Sequence, residues 1–205
     1  MIDLSEVRHI AEQYSAAPIV RVLSRTGITP NILTVIGFLV SIAAGAVIAK
    51  EYLLLGGGLV LFSGVFDMLD GSLARAKGQC TKFGALLDST LDRLAEAVVL
   101  LGLLIMYSWQ PSAWEPWEPL LIYITFVGSV LVSYTRARAE GLAIKCEVGI
   151  FTRAERVVVL ALGLIIGQWI EEALLAALCI LAAFAWVTVL QRIIYIRQHS
   201  TTDRG

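Results

Sequence analysis

Four aspartates stand close together in the chain: Asp67, Asp70, Asp88 and Asp92. Asp67 and Asp70 are one helical turn apart, and so are Asp88 and Asp92, so each pair occupies one face of a helix. A short antiparallel turn between the two helices would bring these faces together. Oxygen ligands without histidine or cysteine are typical of Mg²⁺, Mn²⁺ or Ca²⁺ sites. The spacing predicts a site for a hard divalent cation, with Mg²⁺ expected and Mn²⁺ as the alternative.

The neighbouring residues favour a ligand-binding role for these carboxylates. Four aspartates at membrane depth are costly, and they repel one another unless cations neutralise them. A set of salt bridges, such as Asp88 with Arg93, is the structural alternative, but aspartates outnumber the basic partners within reach. Gly71 and Gly84 leave room for a bulky ligand, and Arg75 offers a cation to a phosphate. A metal ion with a phosphate ligand is therefore expected here.

The chain that must position these aspartates is strongly apolar. Of its 205 residues, 58% are hydrophobic and 16% are charged, and the mean hydropathy is +0.78. Soluble domains carry about 25% charged residues, and a helix needs about 20 apolar residues to span a bilayer. Six segments qualify, namely 31–50, 53–74, 83–107, 119–139, 154–170 and 172–194. The composition predicts an all-α polytopic membrane protein with six transmembrane helices.

The first 28 residues have a different pattern. Val7, Ile10 and Tyr14 recur at helical spacing after a capping-box sequence at residues 3–6. We expect an amphipathic helix on the membrane surface at residues 1–28, followed by a six-helix transmembrane domain at residues 29–205. Membrane lipids are thus expected partners.

Basic residues orient the predicted spans. Fifteen of the sixteen lysines and arginines fall in the N-terminal segment, the second and fourth connections with their flanks, or the tail, whereas Lys50 lies on the opposite side. By the positive-inside rule, both termini and the aspartates face the cytoplasm of a multi-pass plasma-membrane protein. The net charge of −1 comes with no clustered basic face, so no nucleic-acid partner is expected.

The fixed positions of the aspartate segment read Asp67-x2-Asp70-Gly71-x2-Ala74-Arg75-x8-Gly84-x3-Asp88-x3-Asp92. This pattern resembles, at every defined position, the signature of the CDP-alcohol phosphotransferases. The resemblance covers the whole chain, including the surface helix and the six spans. It implies transfer of a substituted phosphate from a CDP-linked donor, usually CDP-diacylglycerol, to an alcohol, with release of CMP. It also implies a homodimer.

The resemblance further implies a role for each motif residue. The metal ligands would be Asp67, Asp70, Asp88 and Asp92, and Asp92 would also act as the catalytic general base on the acceptor hydroxyl. Residues 29–34 resemble a further family element beside the nucleotide, although Pro30 equally suits the start of a helix. The expected nucleotide-binding residues are Asn31, Thr34, Asp67, Gly71, Ala74, Arg75 and Gly84.

Basic residues in the second half of the chain indicate the acceptor. Residues 133–140, 153–156 and 191–192 resemble the branch of the family that makes phosphatidylinositol phosphate from inositol phosphate. Several arginines beside a metal–phosphate site suit a phosphorylated acceptor, although positive-inside anchoring alone would also explain them. The expected acceptor-binding residues are Ser133, Arg136, Arg153, Arg156 and Arg192.

Three alternative functions stay open. Glycerol 3-phosphate would be the acceptor in a phosphatidylglycerophosphate synthase, and an archaeol-type lipid, CDP-archaeol, would be the donor in archaeal relatives. A cation or proton transporter would also carry membrane aspartates. The clustering of the aspartates at one edge, without an evident inverted repeat or broken helix, disfavours transport.

Overall fold

The computed structural model describes residues 18–109 and 117–200, and all regular structure in this part of the chain is helical. A short helical stretch at residues 18–24 precedes six long helices. In chain order these are α1 (Pro30–Ile48), α2 (Leu53–Lys77), α3 (Lys82–Trp109), α4 (Trp117–Glu140), α5 (Arg153–Gly167) and α6 (Glu171–Ser200). Each of the six predicted segments therefore coincides with a helix, although α1 and α5 end before residues 50 and 170, where the predicted segments end. The amphipathic helix predicted for the N-terminus lies, up to residue 17, outside the described residues.

Four of the described helices are long and apolar enough to cross a membrane, namely α1, α2, α4 and α6. The chain is therefore a membrane protein by helix length and composition. The other two helices depart from the expected pattern for different reasons. Helix α3 has 28 residues but carries Asp88, Asp92, Arg93 and Glu96, and α5 has only 15 residues.

The helices pack in an order that surrounds the aspartates. Helix α1 packs against both α2 and α3, and α2 also contacts α5. Helix α5 also packs against α6. Helix α6 packs on α4, and α4 contacts α3. The approach of α1 to α3 is very close, because a Cβ atom on Gly102 would lie 2.4 Å from the carbonyl oxygen of Gly45. Small residues allow this contact between two helix backbones.

Two local features fix the ends of the helices beside the aspartates. Helix α2 ends at Lys77 and is capped by Gly78, whose φ of 63° lies in the left-handed region that glycine adopts readily. Helix α3 begins at Lys82, so the turn is short, as predicted. Lys77 Nζ donates to the carbonyl oxygens of Thr26 and Ile28, both at 2.8 Å, and so holds the segment before α1 against the end of α2.

Candidate functional site

Three aspartates converge where α2 and α3 face each other. Asp67 and Asp70 lie on α2, and Asp88 lies on α3. One carboxylate oxygen from each residue lies within 4.8 Å of the other two. The prediction that the short turn brings the two helix faces together is confirmed for these three residues.

The surroundings of Asp70 and Asp88 suit a metal site. Asp70 is only 5% exposed, and its Oδ2 atom accepts a hydrogen bond of 2.7 Å from the hydroxyl of Thr34. Asp88 Oδ1 is buried and has no hydrogen-bond partner among the residues that the structure describes. A buried carboxylate oxygen without a donor fits a cation ligand, because burial without a partner is unfavourable. The all-oxygen donor set fits a hard divalent ion.

Asp92 lies beside this group of three and is held by arginines. The guanidinium of Arg153, the first residue of α5, bonds to Asp67 with one nitrogen and to Asp92 Oδ1 at 2.7 Å with the other. Arg93 Nη1 lies 3.3 Å from Asp92 Oδ2. Arg93 therefore pairs with Asp92 rather than with Asp88. Arg153 contacts both Asp67 and Asp92. Its guanidinium group therefore connects the fourth aspartate to the other three.

A cavity of about 180 Å³ opens between the ends of α1, α2 and α3. Asp70 and Asp88 form part of its wall, so it adjoins the carboxylate cluster. Gly84 keeps it open, because a Cβ atom there would lie 3.1 Å from Asn31 Oδ1. The cavity is lined by six of the seven expected nucleotide-binding residues: Asn31, Thr34, Gly71, Ala74, Arg75 and Gly84. The seventh, Asp67, lies outside its lining and faces an adjacent groove.

The groove of about 450 Å³ runs between α2 and α5. Asp67, Arg75 and Arg153 form its polar end. Its remaining wall is mostly apolar, with Leu61, Val65, Met68, Ala154, Val157 and Val158. Because Arg75 also lines the cavity between α1, α2 and α3, the two spaces adjoin at α2. The site therefore combines a cavity lined by motif residues, a carboxylate cluster and a groove whose wall is mostly apolar.

The five expected acceptor-binding residues are in different surroundings. Arg153 contacts the aspartates, as described above. Arg136 is exposed and pairs with Glu140 on its own helix, and Ser133 Oγ donates to a backbone carbonyl of that helix. Arg192 is buried and donates to the carbonyl oxygens of Val132 and Val148.

Arg156, the fifth of these residues, is buried against a carboxylate that the sequence analysis missed. Its Nε and Nη2 atoms donate to the two carboxylate oxygens of Glu96 at 3.2 and 3.4 Å. The sequence did carry a signal for Glu96, because it is a charged residue in an apolar helix, one turn beyond Asp92. Of the five arginine and serine side chains, only Arg153 meets the aspartate cluster.

The sequence also contains a capping motif that predicts the start of α5 at Arg153. Thr152, the N-cap residue, donates its backbone N–H to the carboxylate of Glu155, which completes half of a capping box. The Thr-x-x-Glu spacing is typical of this motif. It fixes the first turn of α5, from which Arg153 reaches the aspartates.

Comparison with known proteins agrees with this geometry. The family model of CDP-alcohol phosphatidyltransferase matches residues 27–198. The archaetidylinositol phosphate synthase of Methanothermobacter thermautotrophicus is 38% identical over 178 residues, covering 86% of this chain and 87% of the relative. The matched range includes every residue of the cavity and the carboxylate cluster.

Solved structures extend the likeness to three dimensions. The phosphatidylinositol phosphate synthase of Mycobacterium tuberculosis with CDP-DAG bound has a TM-score of 0.80 and 32% identity, covering 88% of this chain and 92% of that one. The same enzyme in complex with manganese and citrate has a TM-score of 0.80 and 32% identity, covering 88% of both chains. With its family match over 27–198, its 38% identical relative and its aspartate motif assembled in space, this chain belongs to the CDP-alcohol phosphatidyltransferase family.

Proposed function

We propose that this protein transfers a phosphatidyl-type group from a CDP-linked lipid to inositol phosphate, releasing CMP. The observation that carries the proposal is the position of the three-aspartate cluster, two of whose members, Asp70 and Asp88, lie in the wall of the cavity that the motif residues line. A nucleotide in that cavity would have its phosphates beside the carboxylates. The apolar groove would receive the lipid part of the same molecule.

We further propose that Asp67, Asp70 and Asp88 hold Mg²⁺, or Mn²⁺ in its place. The unpartnered Asp88 oxygen and the buried Asp70 support this assignment, and the related Mycobacterium tuberculosis structure with manganese agrees with it. When bound, the ion would supply charge neutralisation for the pyrophosphate and for the departing CMP. A metal role for Asp92 as well stays a prediction.

The donor's orientation follows from the two adjoining spaces. The cytidine part would occupy the cavity lined by Asn31, Gly71, Ala74 and Gly84, with Arg75 toward a phosphate. The lipid tails would lie along the groove between α2 and α5, whose apolar wall keeps them in the bilayer. Relatives named for phosphatidyl and for archaetidyl products support both CDP-diacylglycerol and CDP-archaeol as donors.

Asp92 is the proposed general base. A carboxylate oxygen of Asp92 would take the proton from the acceptor hydroxyl, whose oxygen then forms a bond to the lipid-bearing phosphorus. The phosphorus–oxygen bond to CMP breaks, and CMP leaves with that bonding electron pair. Arg153, which lies against Asp92, would attract a phosphorylated acceptor to the same place. Acceptor roles for Ser133, Arg136, Arg156 and Arg192 stay predictions.

The membrane arrangement is part of the proposal. We propose that α3 and α5 cross the bilayer with the four more apolar helices, giving six spans, and that residues 1–28 lie on the membrane surface. The excess of basic residues at one end supports a cytoplasmic active site with both termini on that side, in the plasma membrane. A homodimer of the 29–205 domain is expected from the family.

Metal-dependent CMP release tests the proposed function. Purified protein in detergent is given CDP-diacylglycerol, or CDP-archaeol in a parallel series, with Mg²⁺ and one acceptor: inositol phosphate, inositol or glycerol 3-phosphate. We expect CMP release only with metal and inositol phosphate, and none from Asp88→Asn, which removes a metal ligand. Release with glycerol 3-phosphate alone would support the phosphatidylglycerophosphate synthase instead. No release with any pair would contradict the proposed transfer.

A further inference from the structure

The segment that leads into α1 is held by a lysine from another helix. We call residues 25–29, between the helical stretch at 18–24 and α1, the entry segment. Lys77, the last residue of α2, donates from Nζ to the carbonyl oxygens of Thr26 and Ile28, both at 2.8 Å. Hydrogen bonds from a charged donor are stronger than those from a neutral one. The entry segment is thus fastened to the end of α2 at two points.

Apolar packing holds the same segment but fixes its orientation less closely. Ile28 packs against a cluster that includes the buried side chains of Leu33 on α1 and of Leu69 and Leu73 on α2. The hydrophobic effect is non-directional, so this cluster attaches the segment without fixing the direction of its carbonyl groups. Lys77 therefore supplies directional contacts between the entry segment and α2.

The entry segment determines where α1 begins, and the first turn of α1 forms one wall of the proposed nucleotide cavity. Pro30 and Asn31 line that cavity, and Gly84 lines it from α3. The approach is close, because a Cβ atom on Gly84 would lie 3.1 Å from Asn31 Oδ1. The side chain of Thr29, the N-cap residue, makes no capping bond within the described part of the chain. The placement of this turn therefore depends on the segment before it.

Lys77 does not line the cavity itself, among the residues that the structure describes. Its ammonium group binds the two carbonyl oxygens of the entry segment. Arg75, two residues earlier on α2, lines both the cavity and the groove. The two basic residues at the end of α2 thus have different surroundings, since Arg75 faces the ligand spaces and Lys77 faces the entry segment.

We propose that Lys77 is a positioning residue, which holds the entry segment so that Pro30 and Asn31 form the wall of the nucleotide cavity. The inference rests on the proposed function, in which the cytidine part of the donor occupies this cavity. It extends the nucleotide site to a residue that acts through backbone carbonyl oxygens rather than by contact with the ligand. Loss of Lys77 should therefore weaken nucleotide binding, and leave the metal site and the chemical step intact.

Lys77→Met tests the inference, because methionine has a similar length and no hydrogen-bond donor. We expect the Kd for CDP, measured by isothermal titration calorimetry with Mg²⁺ present, to rise about tenfold, as for the loss of about one hydrogen bond to the nucleotide. The donor KM should rise by a similar factor while kcat stays at the wild-type value, since uniform binding affects KM alone. Mn²⁺ affinity without nucleotide should also be unchanged, because Thr34 keeps its own bond to Asp70.

Two further variants are the matched controls. Lys77→Arg keeps a charged donor and should regain most of the CDP affinity. Lys50→Met makes the same substitution at an exposed lysine just beyond the opposite end of α1, so it should leave the Kd for CDP unchanged. A wild-type Kd in Lys77→Met, or an equal rise in Lys50→Met, would refute the inference.

Hydrogen–deuterium exchange separates positioning from direct contact with the ligand. Without nucleotide, the backbone amides of Thr26, Ile28 and Ile32 should exchange faster in Lys77→Met than in the wild-type protein, because the entry segment is released from α2. A raised Kd with unchanged exchange would make Lys77 a direct ligand and overturn the positioning role. A Mn²⁺ affinity that falls as much as the CDP affinity would mean that the whole site is disturbed, and would overturn it as well.

The same measurements distinguish this inference from the proposed function. If the wild-type chain binds CDP but releases no CMP with any acceptor, the proposed transfer fails, and the CDP Kd and amide exchange of Lys77→Met still decide the role of Lys77. If the wild-type chain binds no CDP, the cavity is not a nucleotide site and the inference is overturned.

Discussion

Replacing Thr34 with valine removes one hydrogen bond to the carboxylate cluster with almost no change of shape. The Thr34 hydroxyl donates to Asp70 Oδ2 at 2.7 Å, and both residues are nearly inaccessible to water. Valine keeps the branched side chain on α1 but has no donor. Asp70 would remain in place without the group that fixes its orientation.

The expected magnitude follows from the burial of this bond. A hydrogen bond to a charged group contributes about 1.5–3 kcal/mol. If the bond orients Asp70 for metal binding, its loss should weaken metal affinity by about 10- to 100-fold, since about 1.4 kcal/mol corresponds to a factor of ten. Loss of a group that orients a metal ligand typically has an effect of about this size.

Titration with Mn²⁺, followed by electron paramagnetic resonance of the free ion, measures this affinity directly. Thr34→Ser retains the hydroxyl and should bind Mn²⁺ nearly as well as the wild-type protein. Ser41→Ala is a second control, because its buried hydroxyl donates to Gly37 on its own helix rather than to an aspartate. Wild-type Mn²⁺ affinity in Thr34→Val would refute the reasoning, as would an equal loss in Thr34→Ser.

Three further predictions concern the base, the metal and the helix packing. Asp92→Asn should lower kcat by about 10²- to 10⁴-fold, as expected for loss of a general base, and leave Mn²⁺ binding measurable; loss of Mn²⁺ binding would instead make Asp92 chiefly a metal ligand. Chelation with EDTA should stop CMP release and added Mg²⁺ should restore it, whereas EDTA-resistant release would contradict the metal site. Gly102→Ala should cost about 1–3 kcal/mol of unfolding free energy, because its Cβ would lie 2.4 Å from the Gly45 carbonyl oxygen. Thermal melting checks this against Gly58→Ala, whose Cβ meets nothing within 4 Å; equal melting temperatures would show that α1 and α3 adjust freely.

Much of the metal site could be predicted because its geometry is local. The two pairs of aspartates are at helical spacing, on helices joined by a short turn. Such a turn keeps the adjoining helix ends, and the carboxylates on them, close together. The meeting of Asp67, Asp70 and Asp88 within 4.8 Å follows from this spacing. The resemblance to the family, rather than geometry, predicted Gly71, Ala74 and Gly84 as nucleotide-binding residues, and the structure places all three around one cavity because they flank the same turn.

The contacts of the arginines could not be predicted in the same way. Arg153 meets Asp67 and Asp92 only because α5 packs against α2, and helical periodicity does not specify which helices become neighbours. The same packing buries Arg156 against Glu96, a residue outside the recognised motif. The sequence predicted that these arginines lie near the site, but not which carboxylate each would contact.

Hydropathy likewise identified the six helices. It did not identify which of them are both long and apolar enough to span a bilayer. Helix α3 carries Asp88, Asp92 and Glu96, which reduce its apolar character, and α5 has only 15 residues. The carboxylates therefore lower the hydropathy of α3, and the short length of α5 excludes it from the helices that meet the length expected for a membrane span. The more apolar α1, α2, α4 and α6 meet both criteria.

The mass of the lipid product tests the central claim most directly. Purified protein, Mg²⁺, inositol phosphate and a CDP-lipid are incubated together, and the extracted lipids are compared with those from the Asp92→Asn variant by mass spectrometry. We expect a lipid whose mass equals the donor's phosphatidyl-type group joined to inositol phosphate, formed by the wild-type protein and not by the variant. A lipid lacking the inositol phosphate headgroup, or equal product from the variant, would contradict it.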